Sequence, residues 1–187
     1  MVLSKRLQNA LNDTLILHEK QKRKGTEIPY ASHPISLAML LLEHGLSEDI
    51  VIAALLHDTI EDTRLTEEAL LDKYGKTVFD LVMSCTEKDQ SQKWETRKEH
   101  TLEKFDYISQ EAKWIVLVDK LHNIYSMYHQ YLVEGEALWQ HFSRGKDKQA
   151  WYYSNLLLKF QSVKAFENHQ LLIQYQDLYK ALFEGEK

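Results

Sequence analysis

The chain has 187 residues, and 28 Asp and Glu against 23 Lys and Arg give it a formal net charge of −5. A hydrophobic fraction of 44% is too high for a disordered chain, and the length fits one domain. The acidic balance excludes non-specific nucleic-acid binding, and the single cysteine, Cys85, excludes an internal disulfide and any multi-cysteine metal site. Because no apolar run approaches the ~20 residues that a membrane span needs, we expect a soluble, cytoplasmic protein.

The predicted elements are helical throughout, since six Gly and two Pro are too few for a turn-rich β chain. Apolar residues at helical spacing, caps and stop signals predict helices over 3–22, 32–44, 47–63, 66–75, 76–86, 94–105, 110–132, 134–142, 147–166 and from 168 onward. We expect loops around Pro29 and over 87–93. The predicted fold class is an all-α bundle in a single domain, with a core over about 3–132 and additional C-terminal helices over about 133–187.

The strongest chemical signal follows the apolar run that ends at Leu56. It leads directly into His57 and Asp58, and then into Glu61 and Asp62. At helical spacing, His57 and Glu61 share one face, and so do Asp58 and Asp62. Burying a His–Asp pair costs several kcal/mol unless a partner compensates, and a metal ion is the usual partner. The alternative interpretation is a helix end with a solvated acidic tail.

Two further residues could join this pair. His33 lies at the start of the second predicted helix, and Asp119 follows the aliphatic run Ile115–Val118. Alone, the first could be a loop or cap residue and the second could pair with a neighbouring lysine. Together, two imidazoles and two carboxylates form a mixed nitrogen and oxygen set, which suits Mn²⁺, Fe²⁺, Co²⁺ or Zn²⁺ and suits Ca²⁺ poorly. Four protein ligands would leave coordination positions for water or substrate.

These residues, in this order, resemble the HD superfamily of metal-dependent phosphohydrolases, and in particular the hydrolase domain of RelA/SpoT-type enzymes and its small stand-alone forms. The strings that carry the resemblance lie between Leu7 and His129, and they are His18–Lys24, Pro29–Pro34, Leu55–Thr63 and Asp119–Asn123. The resemblance implies an HD-type helical bundle. It also implies hydrolysis of the 3′-pyrophosphate of (p)ppGpp by a metal-activated water, with Mn²⁺ as the metal.

The resemblance also assigns the central site residues. The positions that match its metal ligands are His33, His57, Asp58 and Asp119. Glu61 and Asp62 match the acidic pair that orients and deprotonates the attacking water.

The remaining assignments concern the substrate. Arg23 and Lys24 match a basic pair at the pocket rim, Arg97 and Lys98 match a second basic pair on a later helix, and Asn123 matches a substrate-contacting amide. For both basic pairs the alternative is a solvated helix face.

One departure leaves the substrate open. Tyr125 stands where these relatives commonly have Arg. We therefore expect a small-molecule nucleotide as substrate and neither nucleic acid nor a membrane as partner. The sequence allows a homo-oligomer. The alternatives are an HD hydrolase of another nucleotide or phosphorylated metabolite, and a non-catalytic module that binds an alarmone. Glu61 and Asp62 favour a hydrolase, because a pure binder needs no water-activating pair.

Overall fold

The computed structural model describes residues 4–87, 89 and 91–185, and within them it contains no strand, only one isolated bridge between Lys22 and Pro29. The predicted all-α class is therefore confirmed. The α-helices are α1 (Lys5–Leu17), α2 (Ser32–Glu43), α3 (Glu48–Leu56), α4 (Thr59–Asp62), α5 (Glu67–Cys85), α6 (Trp94–Phe105), α7 (Gln110–Glu134), α8 (Gly145–Gln161) and α9 (Gln170–Tyr179). Short 3₁₀ turns cover Gly135–His141 and Lys164–Phe166, and a π-helical turn covers Lys180–Glu184.

The chain forms two compact units. The first comprises Met1–Gln92 with Ile108–Val116, and the second comprises Lys93–Tyr107 with Leu117–Lys187. The division into a core and a C-terminal extension of a single domain stays a prediction. Among the described residues, no helix is both long enough and apolar enough to cross a membrane.

The core of the first unit is built around α3. Every residue from Ile50 to Leu56 is at most 5% exposed. This stretch of the helix is apolar on all sides, and it packs against α1, α2 and α5, so none of its faces meets solvent. Each of its buried Leu, Ile and Val side chains contributes about 1.5–3 kcal/mol relative to an exposed one. The consequence for function is that His57 emerges directly from the most buried helix of the unit.

The predicted first helix is too long at its C-terminal end. It stops at Leu17, and the basic run that follows lies in a loop instead of a last helical turn. The loop folds back on itself, because the Arg23 N–H donates to the Ile28 carbonyl at 2.8 Å. Gly25 occupies the turn of this loop with φ +73°, a conformation that glycine adopts at low cost. In the sequence, Gly25 after a basic run is a helix-stop signal, but in the structure it marks a turn within the loop.

The predicted helix over 47–63 is also wrong in its continuity. It divides into α3 and the single turn α4, with His57 and Asp58 at the break. The Thr59 hydroxyl donates to the Leu56 carbonyl at 2.6 Å, so a side chain replaces a helical backbone donor there. The break predicted between the helices over 66–75 and 76–86 lies inside α5, where Gly75 has a non-helical conformation with φ +83° and kinks the helix.

The second unit has an aromatic core. Phe160 of α8 packs edge-on against Phe105 of α6 and Tyr175 of α9, with ring centroids 5.4 and 5.2 Å away. The Tyr175 hydroxyl donates to the Tyr153 carbonyl at 2.9 Å, which satisfies its only buried polar atom. These aromatic side chains thus form a packed core.

Candidate metal centre

Three of the predicted ligands converge in the first unit. His33 lies in the first turn of α2, His57 follows the last residue of α3, and Asp58 precedes α4. One ligand atom from each lies within 4.8 Å of the other two. Both imidazoles are almost fully buried, with 1% and 3% exposure, and their ring centroids are 5.3 Å apart. Side chains from three separate elements therefore meet at one point, at the end of the buried α3.

The hydrogen bonding of His57 determines which nitrogen it can offer. Its Nδ1 lies 2.8 Å from the Ala54 carbonyl oxygen, an acceptor, so Nδ1 carries the proton. The neutral ring then presents the lone pair of Nε2, which lies 2.9 Å from Asp58 Oδ2. Two electron-pair donors at this distance need a shared positive charge, either a proton on Nε2 or a cation. The donor set thus fits a divalent metal ion that accepts nitrogen and oxygen ligands.

The acidic pair lies on the turn that follows. Glu61 is half-buried, and its Oε1 accepts the backbone N–H of Glu87. Asp62 is exposed, and its backbone carbonyl accepts the Gln21 side-chain amide at 2.6 Å. The three-residue ligand group includes neither carboxylate. The structure therefore places the pair next to the candidate ligands along the chain, with the Glu61 side chain and the Asp62 backbone each held by a hydrogen bond.

Asp119 belongs to the second unit, where it is 8% exposed on α7. Its Oδ2 lies 2.6 Å from Lys120 Nζ, and its Oδ1 accepts the Asn123 amide at 2.6 Å. Burial is the largest single influence and would lower the pKa of Lys120, but the Asp119 carboxylate together with Tyr152 and Tyr153 outweighs it and holds that pKa well above its ordinary value. Lys120 therefore stays charged. The roles of Asp119 as fourth ligand and Asn123 as substrate contact stay predictions.

The predicted substrate-binding residues lie in different units. Arg23 and Lys24 belong to the loop after α1, and Arg97 and Lys98 lie on α6 in the second unit. Desolvation lowers the pKa of Lys24, so its ammonium group loses a proton more easily than that of an ordinary lysine. The Lys98 Nζ lies 5.2 Å from the centroid of a tyrosine ring of the same unit. None of these contacts identifies a ligand, and their substrate roles stay predictions.

Sequence reasoning assigned no role to Tyr30 and His18. The Tyr30 hydroxyl donates to Asp58 Oδ2, and its ring packs against His18 and His33 with centroids 4.8 and 5.9 Å away. His18 is 1% exposed, and its Nδ1 lies 2.6 Å from Gln21 Oε1. Both residues fall within the matching strings, but a contact between Tyr30 and Asp58, 28 residues apart, has no local sequence signal.

Comparison with known proteins supplies a family context for this geometry. The sequence profile of the HD domain family matches residues 10–144. The curated guanosine-3′,5′-bis(diphosphate) 3′-pyrophosphohydrolase MESH1 of Xenopus tropicalis is 40% identical over 110 residues, which cover 57% of this chain and 61% of that protein. The match thus spans less than two thirds of this relative.

Two solved structures are similar over most of their length. The crystal structure of lmo0812 from Listeria monocytogenes EGD-e has a TM-score of 0.75 and 35% identity, covering 81% of this chain and 99% of that one. A metazoan ortholog of SpoT, described as hydrolysing ppGpp, has a TM-score of 0.82 and 26% identity, covering 96% of this chain and 97% of that one.

Proposed function

The chain belongs to the HD domain family, and from that premise we propose that it is a metal-dependent phosphohydrolase that removes the 3′-pyrophosphate of (p)ppGpp. The observation that carries the proposal is the convergence of His33, His57 and Asp58 at the end of α3. The proposed substrate is taken from two relatives, one named as a 3′-pyrophosphohydrolase and one described as hydrolysing ppGpp. Family membership implies a divalent metal, and we propose Mn²⁺, which the resemblance implies and which is one of the ions that imidazole and carboxylate ligands suit.

His33, His57 and Asp58 would hold the cation, and the resemblance adds Asp119 as a fourth ligand. A divalent cation bound by such a set lowers the pKa of water and withdraws charge from a phosphoryl oxygen. The Nδ1–H of His57 donates to the Ala54 carbonyl oxygen, which keeps Nε2 directed at the other ligands.

Glu61 and Asp62 orient the attacking water and accept its proton. The N–H of Glu87 holds the Glu61 carboxylate through Oε1, so this base is pre-oriented before substrate arrives. Attack breaks the bond between the 3′-pyrophosphate and the ribose O3′, and that oxygen takes up a proton. The products are then GDP from ppGpp or GTP from pppGpp, together with pyrophosphate.

Cationic side chains neutralise the phosphates that do not react. Arg23 and Lys24 lie in the loop that precedes α2, and the Arg23 guanidinium carbon lies 5.8 Å from the centroid of the Tyr30 ring. Charge-assisted hydrogen bonds to phosphate are about twice as strong as neutral ones, so this loop contributes to affinity for a polyphosphate. Arg97, Lys98 and Asn123 are the further proposed contacts.

Turnover of a nucleotide panel tests the proposal. Metal-free protein is supplied with MnCl₂ and incubated with ppGpp, pppGpp, GTP and a phosphorylated dinucleotide cofactor, and the products are separated by anion-exchange chromatography. We expect GDP and pyrophosphate from ppGpp, and no turnover without metal. Hydrolysis of another panel member in preference to ppGpp would favour the second candidate, an HD hydrolase of a different phosphorylated metabolite, for which Tyr125 in place of Arg is the specific observation.

A further inference from the structure

We propose that Tyr30 is a positioning residue for the metal centre: its hydroxyl holds the Asp58 carboxylate in the orientation that brings Oδ2 beside His57 Nε2. The inference rests on the proposed function, because it takes Asp58 as a metal ligand. The hydrogen bond itself is part of the structure, since the Tyr30 hydroxyl donates to Asp58 Oδ2. The same oxygen lies 2.9 Å from the imidazole nitrogen.

The hydrogen bond matters because the Asp58 side chain is only partly buried, so burial by itself does not fix the orientation of the carboxylate. The Asp58 side chain is 23% exposed, whereas the His57 side chain is 4% exposed. The carboxylate can rotate about its terminal torsion, which has only broad preferences. A donor fixed to one oxygen selects one orientation, and metal ligands held in this way lose less entropy when they bind the ion.

Tyr30 can act as such a donor because several contacts hold its backbone and ring in place. Its backbone N–H donates to the Gln21 carbonyl at 2.9 Å, and its carbonyl accepts the His33 N–H at 2.9 Å. Its ring packs against the buried His18, with centroids 4.8 Å apart. The backbone and ring are therefore fixed, and the packing of the loop directs the hydroxyl towards Asp58.

Gln21 links this arrangement to the acidic pair. Its Nε2 donates to the Asp62 carbonyl at 2.6 Å, so its Oε1 faces His18 Nδ1, which must then carry the proton. His18 is consequently held in one tautomer and one orientation, against which the Tyr30 ring rests. One loop thus supports both the candidate ligand Asp58 and the turn that carries Asp62.

The test uses Tyr30→Phe, which removes the hydroxyl and keeps the ring that contacts His18, His33 and Arg23. Mn²⁺ binding to metal-free protein is measured by isothermal titration calorimetry with MnCl₂, without substrate. We expect the affinity to fall about 10–100-fold, the range typical of lost outer partners of metal ligands. At saturating Mn²⁺, the KM of the variant for ppGpp should stay within a few-fold of the parent, since the Arg23 contact is with the ring.

Tyr175→Phe is the matched control. It also removes a tyrosine hydroxyl that donates to a protein acceptor, here the Tyr153 carbonyl in the second unit. Its thermal stability should fall while its Mn²⁺ affinity remains that of the parent. The two variants together separate a specific effect on the metal centre from a general loss of a hydrogen bond.

The outcomes are distinguishable. Equal or tighter Mn²⁺ binding by Tyr30→Phe would overturn the inference and leave the proposed function intact. The same loss of affinity in Tyr175→Phe would also overturn it, because the effect would then reflect stability alone. A parent protein that binds no Mn²⁺ and hydrolyses no nucleotide would overturn both the inference and the proposed function.

Discussion

Replacement of Glu61 by Gln separates its chemical role from its structural one. The change is nearly isosteric, and the amide oxygen can still accept the N–H of Glu87 that the carboxylate accepts now. The turn α4 should therefore keep its conformation. What the variant loses is a group that can take a proton from water, because an amide is not a base at neutral pH.

The size of the expected loss follows from general-base catalysis, which contributes ~10²–10⁴ in rate. A 10²-fold decrease in kcat corresponds to about 2.7 kcal/mol in the activation barrier. Asp62→Asn should cost less than Glu61→Gln, because the Asp62 side chain is exposed and the Glu61 carboxylate is held by a backbone donor. The double variant should lose ~10²-fold or more and bind substrate equally well or better, since negative charge next to phosphate is removed.

The assay is steady-state hydrolysis of ppGpp at saturating Mn²⁺, with metal content and thermal stability measured on the same samples. Glu103→Gln, an exposed position on α6, controls for the loss of one negative charge. A double variant with kcat within a few-fold of the parent would refute the catalytic role. The base would then be another group, or the domain would be a binding module.

Five other variants test the rest of the site and one hydrogen bond of the core. Asp58→Ala should abolish both bound metal and hydrolysis, and metal analysis of a variant with the parent's content would contradict the ligand assignment. Arg23→Ala and Lys24→Ala should each raise KM about tenfold or more, since a hydrogen bond to a charged group is worth ~1.5–3 kcal/mol. Desolvation lowers the pKa of Lys24, so in the parent KM should begin to rise at a lower alkaline pH than in Lys24→Arg, whose guanidinium stays charged. Profiles of KM against pH that coincide for the two proteins would argue against a Lys24 contact with the substrate. Thr14→Val removes a buried hydroxyl donor that lies 2.9 Å from the Leu55 carbonyl oxygen, and it should lower the free energy of unfolding by about 1–3 kcal/mol. Urea denaturation measures this loss, and an unchanged midpoint would count against a stabilising role of the contact.

The amino-acid sequence alone was sufficient for the fold class and the family, and the metal ligands that it indicates stay a prediction. The all-α class follows from helical periodicity and few Gly and Pro, and it is confirmed. The prediction of the HD family is confirmed by the match over residues 10–144. His57 and Asp58 could be predicted as a site because they end an apolar run, and an apolar run places whatever follows it in the interior. The local sequence indicates the burial of these residues, because the apolar composition of a run is visible without knowledge of its packing partners.

Only the tertiary structure decided where helices end and which distant side chains meet. Periodicity predicts that α1 continues past Leu17 and that one helix runs through His57 and Asp58, but α1 ends at Leu17 and the other helix divides into α3 and α4. Side chains that are distant in sequence also meet. The Gln21 amide, for example, reaches the Asp62 carbonyl 41 residues away. Such contacts depend on how elements pack, which no local pattern encodes, and for the same reason the support of Asp58 by Tyr30 had no signal in the sequence.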